Sequence, residues 1–74
     1  MEARKGKFLG KKYIFVEGEG LNLTFRIDTD GDLEFKGQSS GAWDQAFSSN
    51  FNATDRGCSK EKFEAAVEAA EKLI

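Results

Sequence analysis

The sequence lacks histidine and proline altogether and contains a single cysteine, Cys58. One cysteine cannot form a disulfide within the chain, and this pattern is typical of a reducing compartment. With no histidine and one thiol, the chain cannot provide the usual ligands of a zinc site. It also offers no imidazole that could activate Cys58 as a nucleophile. We therefore expect a protein that is not an enzyme and holds no cofactor.

Long apolar runs are also missing. No stretch approaches the 18 or so consecutive apolar residues that a membrane-spanning helix needs. The amino terminus is basic, but the apolar segment of a signal peptide does not follow it. These features predict a cytoplasmic protein with no membrane partner.

The residues that are present predict one small folded domain over residues 1–74. The chain is 39% hydrophobic and contains seven phenylalanines, which argues against disorder. Its net charge of −2 is unevenly distributed. Residues 1–16 hold five basic side chains against one acidic, a balance of +4, and residues 17–74 hold six against twelve, a balance of −6. Residues 1–6 could be a disordered basic tail.

The periodicity of the apolar residues predicts an α+β fold. Three β-prone segments, at 12–16, 21–28 and 32–37, predict an antiparallel three-stranded meander. A short helix around Trp43 would follow, capped by Ser39 or Ser40, with the indole in the core. The last 16 residues predict an amphipathic helix that packs on one sheet face. A further short strand could form at 7–9 or 51–54.

The segment RIDTDGDLEF, residues 26–35, raises the question of a calcium site, because Asp28, Asp30 and Asp32 alternate along it. An EF-hand loop requires glycine at its sixth position and glutamate at its twelfth, and this segment has neither. A hairpin with a three-residue loop explains the same residues by pairing Ile27 with Leu33. We therefore predict a hairpin and do not expect calcium, which stays a third alternative.

The first predicted strand carries apolar side chains on both faces although a simple meander would leave it at the sheet edge. Long apolar edges invite pairing with other chains, so we expect the Trp43 segment, a short extra strand or a second molecule to cover this one. The leading hypothesis is therefore a small non-catalytic interaction protein, such as an inhibitor, adaptor or subunit. It would bind another protein, or a second copy of itself, through a sheet edge or an exposed aromatic surface. The predicted partner-binding residues are Tyr13, Ile14, Phe15 and Val16.

The alternative hypothesis is a nucleic-acid-binding module built on the basic amino-terminal segment, in which cations alternate with aromatic residues. Positive surfaces with stacking rings bind single-stranded nucleic acids. The acidic balance of the whole chain argues against this alternative. The residues predicted for it are Lys5, Lys7, Phe8, Lys11, Lys12 and Tyr13.

Cys58 precedes the last predicted helix and allows two interpretations. A helix amino terminus and neighbouring cations would lower the pKa of the thiol and make it reactive. Alternatively, Cys58 and Phe63 have the spacing of a hydrophobic staple around the cap residue Ser59. The sequence favours the staple.

Overall fold

The computed structural model describes residues 1–46 and 51–74, and this part of the chain has an α+β fold. Five strands form one antiparallel sheet in the order β1-β2-β3-β4-β5, and two helices follow. The elements are β1 (Glu2–Phe8), β2 (Lys11–Gly18), β3 (Leu21–Ile27), β4 (Leu33–Lys36), β5 (Trp43–Gln45), α1 (Ala53–Arg56) and α2 (Lys60–Glu71).

The predicted three-stranded meander is present as β2, β3 and β4, and the sheet extends it by one strand on each side. β1 pairs with β2 along its whole length, from Glu2 opposite Glu17 to Phe8 opposite Lys11. It includes most of the segment that could have been a disordered tail. Residues 51–54, the other segment considered for an extra strand, form no strand. β2 is therefore an internal strand, covered by an extra strand that overlaps the segment 7–9 considered for one and is longer than expected.

The predicted short helix around Trp43 is wrong, because these residues form strand β5. The loop after β4 reverses the chain at once, since the Gly37 amide donates to the Ala42 carbonyl. Trp43 then pairs with Lys36 of β4 instead of entering a helix. Ser40 caps this loop by accepting a hydrogen bond from the Ala42 amide. Phe47, which would have shared the helix with Trp43, lies outside the described residues.

The hydrophobic core lies between the sheet and α2, as the alternating residues predict. Ala66, Val67 and Ala70 line the buried side of α2, and their small size lets the helix approach β1 and β2 closely. Phe63 contacts the Phe35 ring edge-on at 4.9 Å between centroids. Truncating such a buried phenylalanine costs about 3–5 kcal/mol of stability. The other core residues are Ile14, Val16, Leu21, Leu23, Phe25, Leu33 and Ala46.

The β3–β4 hairpin has the predicted register, with Ile27 opposite Leu33 and Phe25 opposite Phe35. Gly31 has the left-handed backbone that a three-residue hairpin loop requires, with φ of 87°. The predicted amino-terminal cap of α2 is also present, because the Ser59 side chain accepts a hydrogen bond from the Lys62 amide at 3.3 Å. Local turn and cap chemistry therefore fixes where these elements begin and end.

The β1–β2 and β2–β3 hairpins have short turns with two residues at positive φ. Leu9 and Gly10 connect β1 to β2 with φ of 51° and 79°, and Glu19 and Gly20 connect β2 to β3 with φ of 52° and 79°. Two successive left-handed residues are typical of the type I′ turn, whose twist matches that of the flanking strands. The meander places the β1–β2 and β3–β4 turns at the same end of the sheet.

Candidate interaction surface

The two faces of the sheet differ in what covers them. α2 packs over the face that carries Ile14, Phe25 and Phe35. Within residues 1–46 and 51–74, no helix lies over the opposite face, which we call the open face. Because side chains alternate along a strand, the open face is formed by the other set of residues on each strand. It carries Tyr13, Phe15, Arg26 and Trp43 near its centre.

Three aromatic rings form a continuous strip on the open face. The Tyr13 and Phe15 rings are 6.3 Å apart between centroids and stack at 26°. Trp43 contacts the other side of Tyr13 at 6.1 Å. Two strands separate β5 from β2, so the indole reaches over β3 and β4 to meet Tyr13. These three rings are only half-buried, and we refer to them as the aromatic strip.

An arginine lies over each end of the aromatic strip. The guanidinium carbon of Arg4 is 4.8 Å from the centroid of Phe15, and that of Arg26 is 4.1 Å from Trp43. Such cation–π contacts contribute about 0.5–1 kcal/mol at exposed sites and more where water is excluded. Each arginine also pairs with a carboxylate, Arg4 with Glu17 at 3.3 Å and Arg26 with Glu34 at 2.9 Å.

The Arg26–Glu34 pair is the shorter and the more buried of the two. Its side chains are 28% and 18% exposed, whereas those of Arg4 and Glu17 are 60% and 51% exposed. Exposed ion pairs contribute little because solvent screens them and ordering two long side chains costs entropy. We therefore expect Arg26 to hold the Trp43 ring in place, and Arg4 to be the more mobile cation.

Gly6 is required for the position of Phe15. It lies opposite Tyr13 on β1, and the Phe15 ring extends over it. A Cβ atom at this position would collide with the edge of the ring. Glycine in a strand often marks such a close approach. The aromatic strip therefore continues onto the edge strand, where the Phe15 ring extends over Gly6.

The structure separates the four predicted partner-binding residues. Tyr13 and Phe15 lie half-buried on the open face, but Ile14 is 2% exposed and Val16 is fully buried beneath α2. The two faces expected for this strand are present, and burial leaves Tyr13 and Phe15, but not Ile14 and Val16, accessible to a partner. Sequence reasoning also missed Arg4, Arg26 and Trp43 as members of the surface. For Arg26 a signal existed, since its alternation with Phe25 and Ile27 placed it on the face away from the core.

The residues predicted for nucleic-acid binding all lie on the β1–β2 hairpin, but on both of its faces. Lys7 lies opposite Lys12, and Phe8 lies opposite Lys11. The alternation along each strand places three of the lysines on the α2 side, and it places Phe8, Lys11 and Tyr13 on the open face. The hairpin therefore does not present all six predicted residues on one face. The lysines on the α2 side are Lys5, Lys7 and Lys12.

The aspartates of the β3–β4 turn lie close together, with carboxylate oxygens of Asp28, Asp30 and Asp32 within 4.8 Å of one another. One Asp28 oxygen accepts hydrogen bonds from the amides of Asp30 and Asp32, each at 2.9 Å. Aspartate commonly supports a turn in this way. The turn accounts for this arrangement, and we assign no cation to it.

Cys58 is half-buried beside the core and donates a weak hydrogen bond to the Arg56 carbonyl at 3.7 Å. Burial raises the pKa of its thiol, and the nearby charges of Lys62 and Arg56 oppose this only in part. A raised pKa disfavours the nucleophilic thiolate. The structure therefore favours a packing role over a reactive one.

α1 fastens the β4–β5 loop to the rest of the fold. The Asp55 carboxylate accepts hydrogen bonds from the Ser40 amide at 3.1 Å and from the Ser39 hydroxyl at 2.9 Å. These donors lower the pKa of Asp55, the Ser40 amide most strongly. The neighbouring Arg56 is buried between the Phe35 and Phe63 rings, with its charge 3.8 Å from Asp44 of β5. Together these contacts hold β5, and hence Trp43, in position.

No family model matches the chain, and no curated protein or solved structure is significantly similar to it. Among the described residues, no helix has the length and apolar character needed to cross a membrane.

Proposed function

We propose that this chain is a small non-catalytic interaction domain that binds another protein through the open face of its sheet. The observation that supports this most directly is the aromatic strip, with an arginine stacked at each end. Tyrosine, tryptophan and arginine are enriched where proteins meet, because each buries a large area and keeps a polar group for hydrogen bonding. The strip lies on the face that α2 leaves open.

The features of the sheet favour the open face over a sheet edge as the contact. One edge is β1, which carries Arg4, Lys5 and Lys7 along its length. The other edge is β5, which is only three residues long. Charged and very short edge strands resist the addition of a strand from another chain.

A second copy of the same chain is the partner that the charges of the open face suit best. The face carries both signs of charge, because two arginines pair with two glutamates and the strand register adds Lys11 and Lys36 against Glu2. In a two-fold dimer each patch meets its own copy, and the arginine of one copy can approach the glutamate of the other. Among the roles of inhibitor, adaptor and subunit, this arrangement favours a subunit of a homodimer.

The dimer can be tested by sedimentation velocity over a range of protein concentrations. We expect a reversible monomer–dimer equilibrium with a dissociation constant on the order of micromolar to tens of micromolar, because a chain this small offers less than a standard interface. Tyr13→Lys should abolish the dimer, since it puts an unpaired charge at the centre of the aromatic strip.

The matched control is Ala65→Lys, which adds the same charge at an exposed position on α2. It should dimerise like the wild type. Ile14→Lys is not a useful variant, because Ile14 is buried and the change would unfold the chain. Circular dichroism should show that Tyr13→Lys is folded. A wild type that stays monomeric at several hundred micromolar, or equal dimerisation of the Tyr13→Lys variant, would count against the proposal.

A further inference from the structure

The β1–β2 hairpin projects beyond the sheet, and this projection is separate from the aromatic strip. Pairing between β2 and β3 begins with Tyr13 opposite Arg26. Residues 7–12 therefore pair only with one another, and we call them the basic ribbon. Two strand residues at about 3.3 Å each, plus the turn, carry the tip on the order of 10 Å past the last β2–β3 pair.

The arrangement of the lysines in and beside the basic ribbon does not stabilise the sheet. Lys7 lies directly opposite Lys12, and like charges at such a position destabilise a sheet. Lys5, which precedes the basic ribbon on β1, lies on the same face, and Lys11 lies on the other. Within the described residues, none of these four lysines forms an ion pair. Positive charge is therefore available on both sides of the ribbon.

The tip of the basic ribbon is apolar and exposed. Phe8 and Leu9 have exposed fractions of 65% and 86%. Leu9 also has a left-handed backbone, which is unfavourable for a residue with a Cβ atom. Neither side chain contributes to the core, so their place at the tip is better explained by a contact with another molecule.

We propose that the basic ribbon binds double-stranded nucleic acid by entering one of its grooves. The major groove is about 12 Å wide and accommodates a two-stranded ribbon. Phosphates border a groove on both sides, and lysines on both faces of the ribbon can meet both rows. An exposed phenylalanine and leucine at the tip can contact base edges or wedge between base steps. A single strand would instead require cations and rings on one face, which the strand register does not provide.

The acidic β3–β4 turn lies at the same end of the sheet and opposes this binding. A hollow of about 640 Å³ separates the two turns, lined by Lys11 and Lys12 on one side and Asp28 and Thr29 on the other. The exposed carboxylates of Asp30 and Asp32 would repel phosphates. They could also attract the basic ribbon of a second copy. Such pairing is the competing explanation for the positive charge of the ribbon. Replacing Asp30 and Asp32 with neutral residues distinguishes nucleic-acid binding from pairing with a second copy.

The test is fluorescence anisotropy of a labelled duplex DNA of mixed sequence, titrated at two salt concentrations. With four phosphate contacts, affinity should fall about a hundredfold between roughly 50 and 200 mM salt. Lys7→Gln with Lys12→Gln should weaken binding and reduce the slope of log affinity against log salt by about 2. The control pair Lys60→Gln and Lys62→Gln removes the same charge at the start of α2 and should leave the slope nearly unchanged.

Asp30→Asn with Asp32→Asn should tighten binding to the duplex, because it removes the repulsion. Both changes leave the Asp28 hydrogen bonds of the turn intact. Weaker binding in this variant would overturn the proposal, and so would no binding at 50 mM salt or an equal loss in the α2 control. Tighter binding to a single strand than to the duplex would exclude groove insertion. Binding to vesicles of anionic lipid, but not to the duplex, would assign the ribbon to a membrane surface instead.

Discussion

At the scale of single residues, Leu9 is the clearest example of a side chain that does not favour the stability of the fold. It occupies the first position of a type I′ turn, where asparagine is preferred, and its side chain is 86% exposed. Two properties therefore disfavour leucine here, the left-handed backbone and the contact with water. Glu19 occupies the same position of the next turn with the same backbone but with a solvated side chain.

Leu9→Asn should raise the free energy of unfolding by about 0.5–1 kcal/mol, because asparagine tolerates the left-handed backbone better. Urea denaturation followed by circular dichroism measures the change. Leu9→Val is the opposing control and should lower the stability, since a β-branched side chain fits this backbone worse than leucine does. An asparagine variant no more stable than the valine variant would show that the turn is not strained.

At the scale of elements, the link between α1 and the β4–β5 loop positions β5. The Asp55 carboxylate accepts hydrogen bonds from Ser39 and Ser40, and the Gln38 amide donates to the Asp55 carbonyl at 2.6 Å. Gly37 permits this approach, since a Cβ atom there would meet both the Ser40 hydroxyl and the Asp55 carboxylate. Because β5 carries Trp43, this link also helps to hold the aromatic strip in position.

The acid sensitivity of the fold should depend on Asp55. Its pKa is lowered in the folded state by the donated hydrogen bonds. The stabilisation is therefore fully present above the unfolded pKa of about 3.9, and it is lost as the pH falls through the lower folded pKa. Asp55→Asn should be less stable than the wild type at pH 6, and the difference should shrink as the pH falls below about 4.

Urea denaturation at a series of pH values between about 2.5 and 6 measures this difference. Glu64→Gln is the control, because it removes an exposed carboxylate from α2. It should change the stability little at any pH in this range. A constant difference between wild type and Asp55→Asn across the series would contradict the role given to this carboxylate.

The elements differ in how far the sequence could predict them, and the reasons are physical. β3 and α2 have clear apolar periods, so their buried residues, such as Phe25 and Phe63, could be predicted from the pattern. β1 has no such period, because only Ala3 of its seven residues packs against the core. It is a strand because its backbone pairs with β2. β5 is only three residues long, and its pairing depends on the preceding loop, so the short-helix signal around Trp43 was misleading.

At the scale of the whole molecule, the sheet is covered by a helix on one side and carries aromatic and charged residues on the other. The aromatic strip combines residues from the second and fifth strands, and its arginines come from the first and third. The sequence predicted Tyr13 and Phe15 as contact residues, since they are local to one strand. It could not predict that Trp43 joins them, because that contact depends on the order of all five strands.

The central claim, that the open face is a binding surface, can be tested most directly with Trp43. It is the single tryptophan of the chain, and it lies in the aromatic strip. Its emission and its quenching by acrylamide should be measured as the protein concentration rises through the association midpoint. If two copies pack face to face, we expect the emission to shift to the blue and the quenching to fall as the dimer forms. Unchanged emission and quenching while the dimer forms would place the interface elsewhere, and the account of the open face would be wrong.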